Sequence, residues 1–67
     1  MERADFDKYL DKRVFMILKS GFKYKVILTY DCIKETSLSF LDKFNNPVDV
    51  DFDDIAFITI SNDGGYN

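Results

Sequence analysis

The chain has 67 residues, enough for one small domain. It has no histidine and a single cysteine, Cys32, which excludes an internal disulfide and the usual zinc site. The same composition leaves no Ser–His or Cys–His pair for nucleophilic catalysis, so we predict that the protein is not an enzyme and has no cofactor. A net charge of −3 excludes a uniformly basic nucleic-acid-binding protein, although residues 1–41 carry eight Lys/Arg against six Asp/Glu and residues 42–67 carry one Lys against six Asp.

The first predicted element is a short helix over residues 3–12. Phe6, Tyr9 and Leu10 have the spacing of one helical face, which must pack on the rest of the protein because so short a helix is marginal alone. The chain starts with polar residues, and its apolar run Val14–Leu18 is too short to cross a bilayer. Together with the single free cysteine, these features predict a cytoplasmic protein outside the membrane.

Two strands are predicted next. Residues 14–19 are almost continuously apolar, which predicts a strand covered on both faces. Residues 22–30 alternate between apolar and polar side chains, which predicts a long strand with one buried face. The side chains predicted on that buried face are Phe22, Tyr24, Val26, Leu28 and Tyr30.

Three further strands are predicted over residues 36–42, 47–52 and 55–60, with the turn signal Phe44-Asn45-Asn46-Pro47 before the second of them. The end of the chain, residues 62–67, is predicted to be a frayed tail. Residues 1–61 are therefore predicted to form one mostly β domain: a short N-terminal helix followed by a five-stranded, strongly bent antiparallel open barrel.

Acidic side chains alternate with the predicted core in one strand. Asp49, Asp51 and Asp53 share its outer face, where carboxylates in a row are a possible weak site for Ca²⁺ or Mg²⁺. A solvated, charged face that discourages uncontrolled edge pairing is the favoured interpretation, and we predict no metal site.

Basic and aromatic residues are interleaved earlier in the chain. The candidates for phosphate contacts and base stacking are Lys19, Lys23, Lys25, Lys34, Tyr24 and Tyr30. Because Tyr24 and Tyr30 share a strand face with Val26, a core position is the favoured interpretation for both rings.

Several short strings resemble a known family in their order along residues 6–60. They are Leu18-Lys19-Ser20-Gly21, Tyr30-Asp31, Leu38-Ser39-Phe40-Leu41, Asp42-Lys43-Phe44-Asn45-Asn46 and Ile55–Ile60. This order is similar to that of the Sm-like family, which includes the Sm, Lsm and bacterial Hfq proteins. One departure is the corner Asp53-Asp54, where the family has a basic residue that meets RNA.

The resemblance implies an SH3-type barrel and a homo-oligomeric ring, in which the fourth strand of one subunit pairs with the fifth strand of the next. The oligomer-interface residues expected on those strands are Val48, Val50, Phe52, Phe57, Ile58 and Ile60. The resemblance also implies binding of single-stranded RNA, for which the expected residues are Tyr30, Asp31 and Lys34.

Two other functions stay open. The acidic corner and the acidic second half of the chain favour an Sm-fold scaffold or acidic adaptor that binds a protein partner and has lost RNA binding. A monomeric SH3-like module of a larger assembly is the third hypothesis.

Overall fold

The computed structural model describes residues 1–61, and the predicted frayed tail at 62–67 lies outside them. Its elements are the 3₁₀ helix η1 (Arg3–Tyr9), β1 (Lys12–Leu18), β2 (Lys23–Leu28), the 3₁₀ turn η2 (Tyr30–Cys32), β3 (Ser37–Leu41), β4 (Pro47–Asp51), the 3₁₀ turn η3 (Phe52–Asp54) and β5 (Ile55–Ile60). The prediction of a mostly β chain with a short N-terminal helix and five antiparallel strands is confirmed. No helix in the described part of the chain is long and apolar enough to span a membrane.

The N-terminal helix is of the 3₁₀ type and ends earlier than predicted. At its start, the backbone N–H of Glu2 donates to the Asp5 carboxylate at 2.8 Å, and the Asp5 N–H donates to the Glu2 carbonyl at 2.9 Å. The predicted continuation to Lys12 is wrong, because the backbone is extended at Leu10 and left-handed at Asp11, where φ is 62°. Lys12 begins β1 instead.

The five strands form two antiparallel sheets. One has the strand order β2-β1-β5, with Val14 of β1 opposite Val26 on one side and Ile60 on the other. The second is the hairpin of β3 and β4, in which Leu38 lies opposite Val50. Within residues 1–61 no closed barrel forms, because β2 ends at Leu28 and the chain turns away through η2 before β3.

Both ends of the predicted second strand lie outside β2. Phe22 is 65% exposed and Tyr30 is 66% exposed, so the prediction that their rings face the core is wrong. Phe22 follows Gly21, whose φ of 100° belongs to the turn after β1, and Tyr30 begins η2. Neither residue therefore continues the alternation of the strand. Tyr24, the second residue of β2, is half-buried, with its ring centroid 5.3 Å from that of Phe40.

The core lies between the inner faces of the two sheets, and η1 contributes to it. Phe6 is fully buried, with its ring centroid 4.7 Å from that of Phe52 in η3. The sheets supply most of the other buried side chains, namely Val14, Met16, Leu28, Leu38, Phe40, Val50 and Ile55. Helix and sheets therefore share one hydrophobic cluster.

Replacing Phe6 with alanine tests the contribution of η1 to this core. Removing a buried phenylalanine ring costs about 3–5 kcal/mol, and a core of this size supplies roughly 3–5 kcal/mol in total. We expect Phe6→Ala to abolish the cooperative urea transition followed by circular dichroism. Phe22→Ala, at a ring that is 65% exposed, is the matched control and should unfold like the parent chain. Equal stability of the two variants would show that η1 is not part of the core.

Candidate functional site

The outer face of the three-stranded sheet is basic. Residues directly opposite each other on neighbouring strands point to the same side of a sheet. By the observed registers, the outer face consists of Arg13, Phe15, Ile17, Lys23, Lys25, Ile27, Phe57 and Thr59. These described residues include three cations and no carboxylate, in a chain whose net charge is −3.

The outer face of the β3–β4 hairpin is acidic. The registers place on it Ser37, Ser39, Leu41, Pro47, Asp49 and Asp51. The Ser39 hydroxyl donates a hydrogen bond to the Asp49 carboxylate across the two strands. The two sheets therefore carry opposite charges on their outer faces, which accounts for much of the charge asymmetry between the two parts of the sequence.

The turn between β3 and β4 is held in shape by Asp42. Its Oδ1 accepts the backbone N–H of Phe44 at 2.8 Å and that of Asn46 at 2.9 Å. Asn45 has a φ of 65°, a left-handed conformation that asparagine adopts more readily than most residues. Phe44 is 72% exposed, and the Lys43 ammonium lies 5.4 Å from the centroid of its ring. The turn therefore presents a cation and an aromatic ring on a well-defined backbone.

A groove of about 310 Å³ lies between this turn and β2. Its lining residues are Phe15, Lys23, Tyr24, Lys25, Val26, Asp42, Lys43 and Phe44, and we call it the lysine–aromatic groove. A larger groove of about 700 Å³ adjoins it, because both are lined by Lys25, Val26, Asp42 and Lys43. The larger groove also has Arg13 and Asp31 among its lining residues.

The residues predicted to bind RNA lie in the loop that follows β2. Tyr30 is 66% exposed, and the Arg3 guanidinium carbon lies 5.1 Å from the centroid of its ring. An Arg3 guanidinium N–H also donates to the Ile33 carbonyl at 3.2 Å, which attaches η1 to the loop. Asp31 lines the larger groove, and the exposed Lys34 donates its backbone N–H to the Ser37 carbonyl at 2.9 Å.

The predicted interface residues differ in their exposure. Val50 and Phe52 are buried in the core of the chain itself. Three others, Val48, Ile58 and Ile60, are half-buried against that core. Phe57 is 51% exposed and lies on the outer face of β5. An intermolecular contact at these strands would therefore use their backbone and Phe57 more than the inward side chains.

Sequence reasoning missed Lys43 and Phe44 as candidate binding residues and assigned them to a turn. An aspartate followed by a cation, an aromatic residue and two asparagines indicates a turn with exposed side chains, but spacing does not show that it faces β2. Among residues 1–61, no group of three or more His, Cys, Asp or Glu side chains is arranged to hold a metal ion.

Comparisons with known proteins identify no family for this chain, since no family model, curated protein or solved structure matches it. The resemblance to the Sm-like family therefore stays a prediction. The surfaces described above are the basis for proposing a function.

Substitutions at Asp42 test whether its carboxylate organises the turn. Asp42→Ala removes the acceptor of two backbone hydrogen bonds, each with a net contribution of roughly 0.5–1.5 kcal/mol. We expect the free energy of unfolding in urea to fall by about 1–3 kcal/mol. Asp42→Asn keeps a side-chain oxygen and should retain most of the stability, and Asp53→Ala is the control at an exposed acid. Equal losses for the alanine and asparagine variants would contradict this role.

Proposed function

We propose that this protein functions without catalysis, by self-assembly, with the edge of β5 in one copy pairing with the edge of β4 in the next. A chain of such contacts closes into a ring when the rotation between subunits permits it. The resemblance to Sm-like proteins supports the same arrangement.

The character of β5 is the observation that carries this proposal. Within the described residues β5 pairs with β1 on one side, which leaves its other edge open. The strand Ile55–Ile60 contains no charged residue and no proline, and Phe57 is 51% exposed. Edge strands of natural proteins are usually protected by charges, by proline or by a covering element. An unprotected edge of this kind favours backbone pairing with another strand.

The β4 strand is the proposed partner of β5. In the described part of the chain β4 pairs with β3 alone, so it too has an open edge. Asp49 and Asp51 disfavour pairing of β4 with a second β4, because like charges would lie close together. Beside β5, the same carboxylates would extend a sheet whose outer face is basic, and opposite charges at an interface are complementary.

Placing a negative charge on the β5 edge tests the proposal. Phe57→Glu would put a carboxylate beside Asp49 and Asp51 of the next copy, where repulsion and desolvation oppose assembly. We expect size-exclusion chromatography with light scattering to give several subunits for the parent chain and one subunit for Phe57→Glu.

Phe22→Glu is the matched control, because it makes the same change at an exposed aromatic residue outside both edges. It should keep the parent mass. A parent chain that is monomeric at all concentrations would contradict the proposal and favour the adaptor or the SH3-like module. A parent dimer would indicate pairing of β5 with β5 instead of β4.

Binding of single-stranded RNA by the loop after β2 is a second candidate function. It is favoured by the ring of Tyr30, which is 66% exposed and has the Arg3 guanidinium carbon 5.1 Å from its centroid. An exposed aromatic ring can stack on a base, and Arg3 and Lys34 supply positive charge for phosphates.

Tyr30→Ala tests this candidate by fluorescence anisotropy with short U-rich RNA at fixed salt. Loss of one stacked base corresponds to an increase in Kd of about fivefold or more. Phe22→Ala, at an equally exposed ring, is the control and should leave Kd unchanged. An unchanged Kd for Tyr30→Ala would remove this loop from the binding surface.

A further inference from the structure

We infer that the lysine–aromatic groove binds single-stranded nucleic acid, with phosphates on its lysines and a base stacked against Phe44. This rests on the nucleic-acid-binding candidate of the preceding subsection and deepens it by assigning a contact surface outside the Tyr30 loop. It does not depend on the assembly of β5 with β4.

The charge of the groove favours an anionic ligand. Lys23 comes from the outer face of β2 and Lys43 from the β3–β4 turn, so cations line the groove from both sides. Arg13 extends the same basic sheet face. The one carboxylate among the lining residues, Asp42, accepts two backbone hydrogen bonds from its own turn. The groove is therefore locally basic although the chain is acidic overall.

The aromatic residues of the groove favour a ligand with flat rings. Phe44 is 72% exposed, and the Asp42 turn holds its backbone before any ligand binds, which lowers the entropic cost of binding. Phe15 and Tyr24 also line the groove, so it holds further rings beside Phe44. The groove thus presents both rings and lysines, which are the groups that contact the bases and the phosphates of a nucleic-acid strand.

The size of the groove favours a single strand over a duplex. About 310 Å³ is near the lower end of ligand pockets and accommodates one base. Bases within a duplex are stacked on each other and do not offer a free face to Phe44, whereas unpaired bases do. An acidic peptide would satisfy the lysines but supplies no regular partner for the rings.

Fluorescence anisotropy with labelled short oligo-U, oligo-A and oligo-dT tests the inference. The parent chain should bind all three, because base stacking and phosphate contacts tolerate changes of base and sugar. Lys23→Glu/Lys43→Glu should raise Kd about tenfold or more and reduce the slope of log Kd against log salt by roughly 1.4, since each phosphate contact to a single strand contributes about 0.7. Phe44→Ala should raise Kd about fivefold or more and leave the slope unchanged.

Lys8→Glu/Lys12→Glu is the matched control, with the same change in net charge at exposed lysines outside the groove. Its effect on Kd should be much smaller. If the two double variants weaken binding equally, overall charge alone explains the binding and the inference is overturned. So would competition by polyglutamate as strong as competition by unlabelled oligo-U, or failure of the parent chain to bind at low salt.

The loop and the groove are separated by comparing variants in the same assay. If Tyr30→Ala weakens RNA binding while Phe44→Ala and Lys23→Glu/Lys43→Glu have no effect, the protein binds RNA through the loop and the inference about the groove is overturned. Repeating the assay in the Phe57→Glu background separates binding from assembly, and the groove variants should weaken binding there by the same factor. Circular dichroism of every variant verifies that the fold is retained.

Discussion

The packing of Phe6 against Phe52 is the contact on which the arrangement of this chain most depends. Within the described residues no strand of one sheet pairs with a strand of the other, although backbone hydrogen bonds join η3 to Thr36 and to Lys19. The chain has one cysteine and hence no internal disulfide. Cohesion between the sheets therefore depends mainly on side chains in the interior. The fully buried ring of Phe6 in η1 has its centroid 4.7 Å from that of Phe52 in η3, the turn that connects β4 of one sheet to β5 of the other. A ring in this position stabilises both sheets at once. In so small a domain, this stabilisation offsets the conformational entropy that is lost when the short 3₁₀ helix becomes ordered.

The core also determines which side chains are available to partners. Successive residues of a strand point to opposite faces, so burying Tyr24 and Val26 places Lys23 and Lys25 outside. A slip of one residue would exchange the two sets, and the cost of burying lysines fixes the register. The basic outer face of β2 is in this sense a consequence of the interior packing. The same argument applies to β4, where Val50 is buried and Asp49 and Asp51 are exposed.

Sequence patterns predicted those parts of the fold that are local. The alternation in residues 47–52 and the apolar run at 55–60 gave strands that agree with β4 and β5 to within one residue. Patterns failed where backbone geometry overrides alternation, at the turn before Phe22 and at η2, where Tyr30 leaves the strand and becomes exposed. They also failed for the helix, because a left-handed residue at Asp11 is not visible in the spacing of Phe6 and Tyr9. The approach of Lys43 and Phe44 to β2 joins segments about 20 residues apart, and period-based reasoning contains no information on such contacts.

The sheet order makes the two proposed activities compatible within one molecule. β5 is one edge of the three-stranded sheet and β2 is the opposite edge, with β1 between them. A neighbouring copy that pairs with β5 would therefore lie at the edge opposite the lysine–aromatic groove, and no residue of β4, the other pairing strand, lines that groove. The groove of the neighbouring copy would have the same orientation relative to the contact, because one symmetry operation relates each subunit of a head-to-tail assembly to the next. Several weak grooves on one assembly bind a long strand much more tightly than a single groove does, since each bound segment raises the effective concentration of the next. Assembly thus supplies a physical route by which an acidic chain with a small basic surface can hold a polyanion.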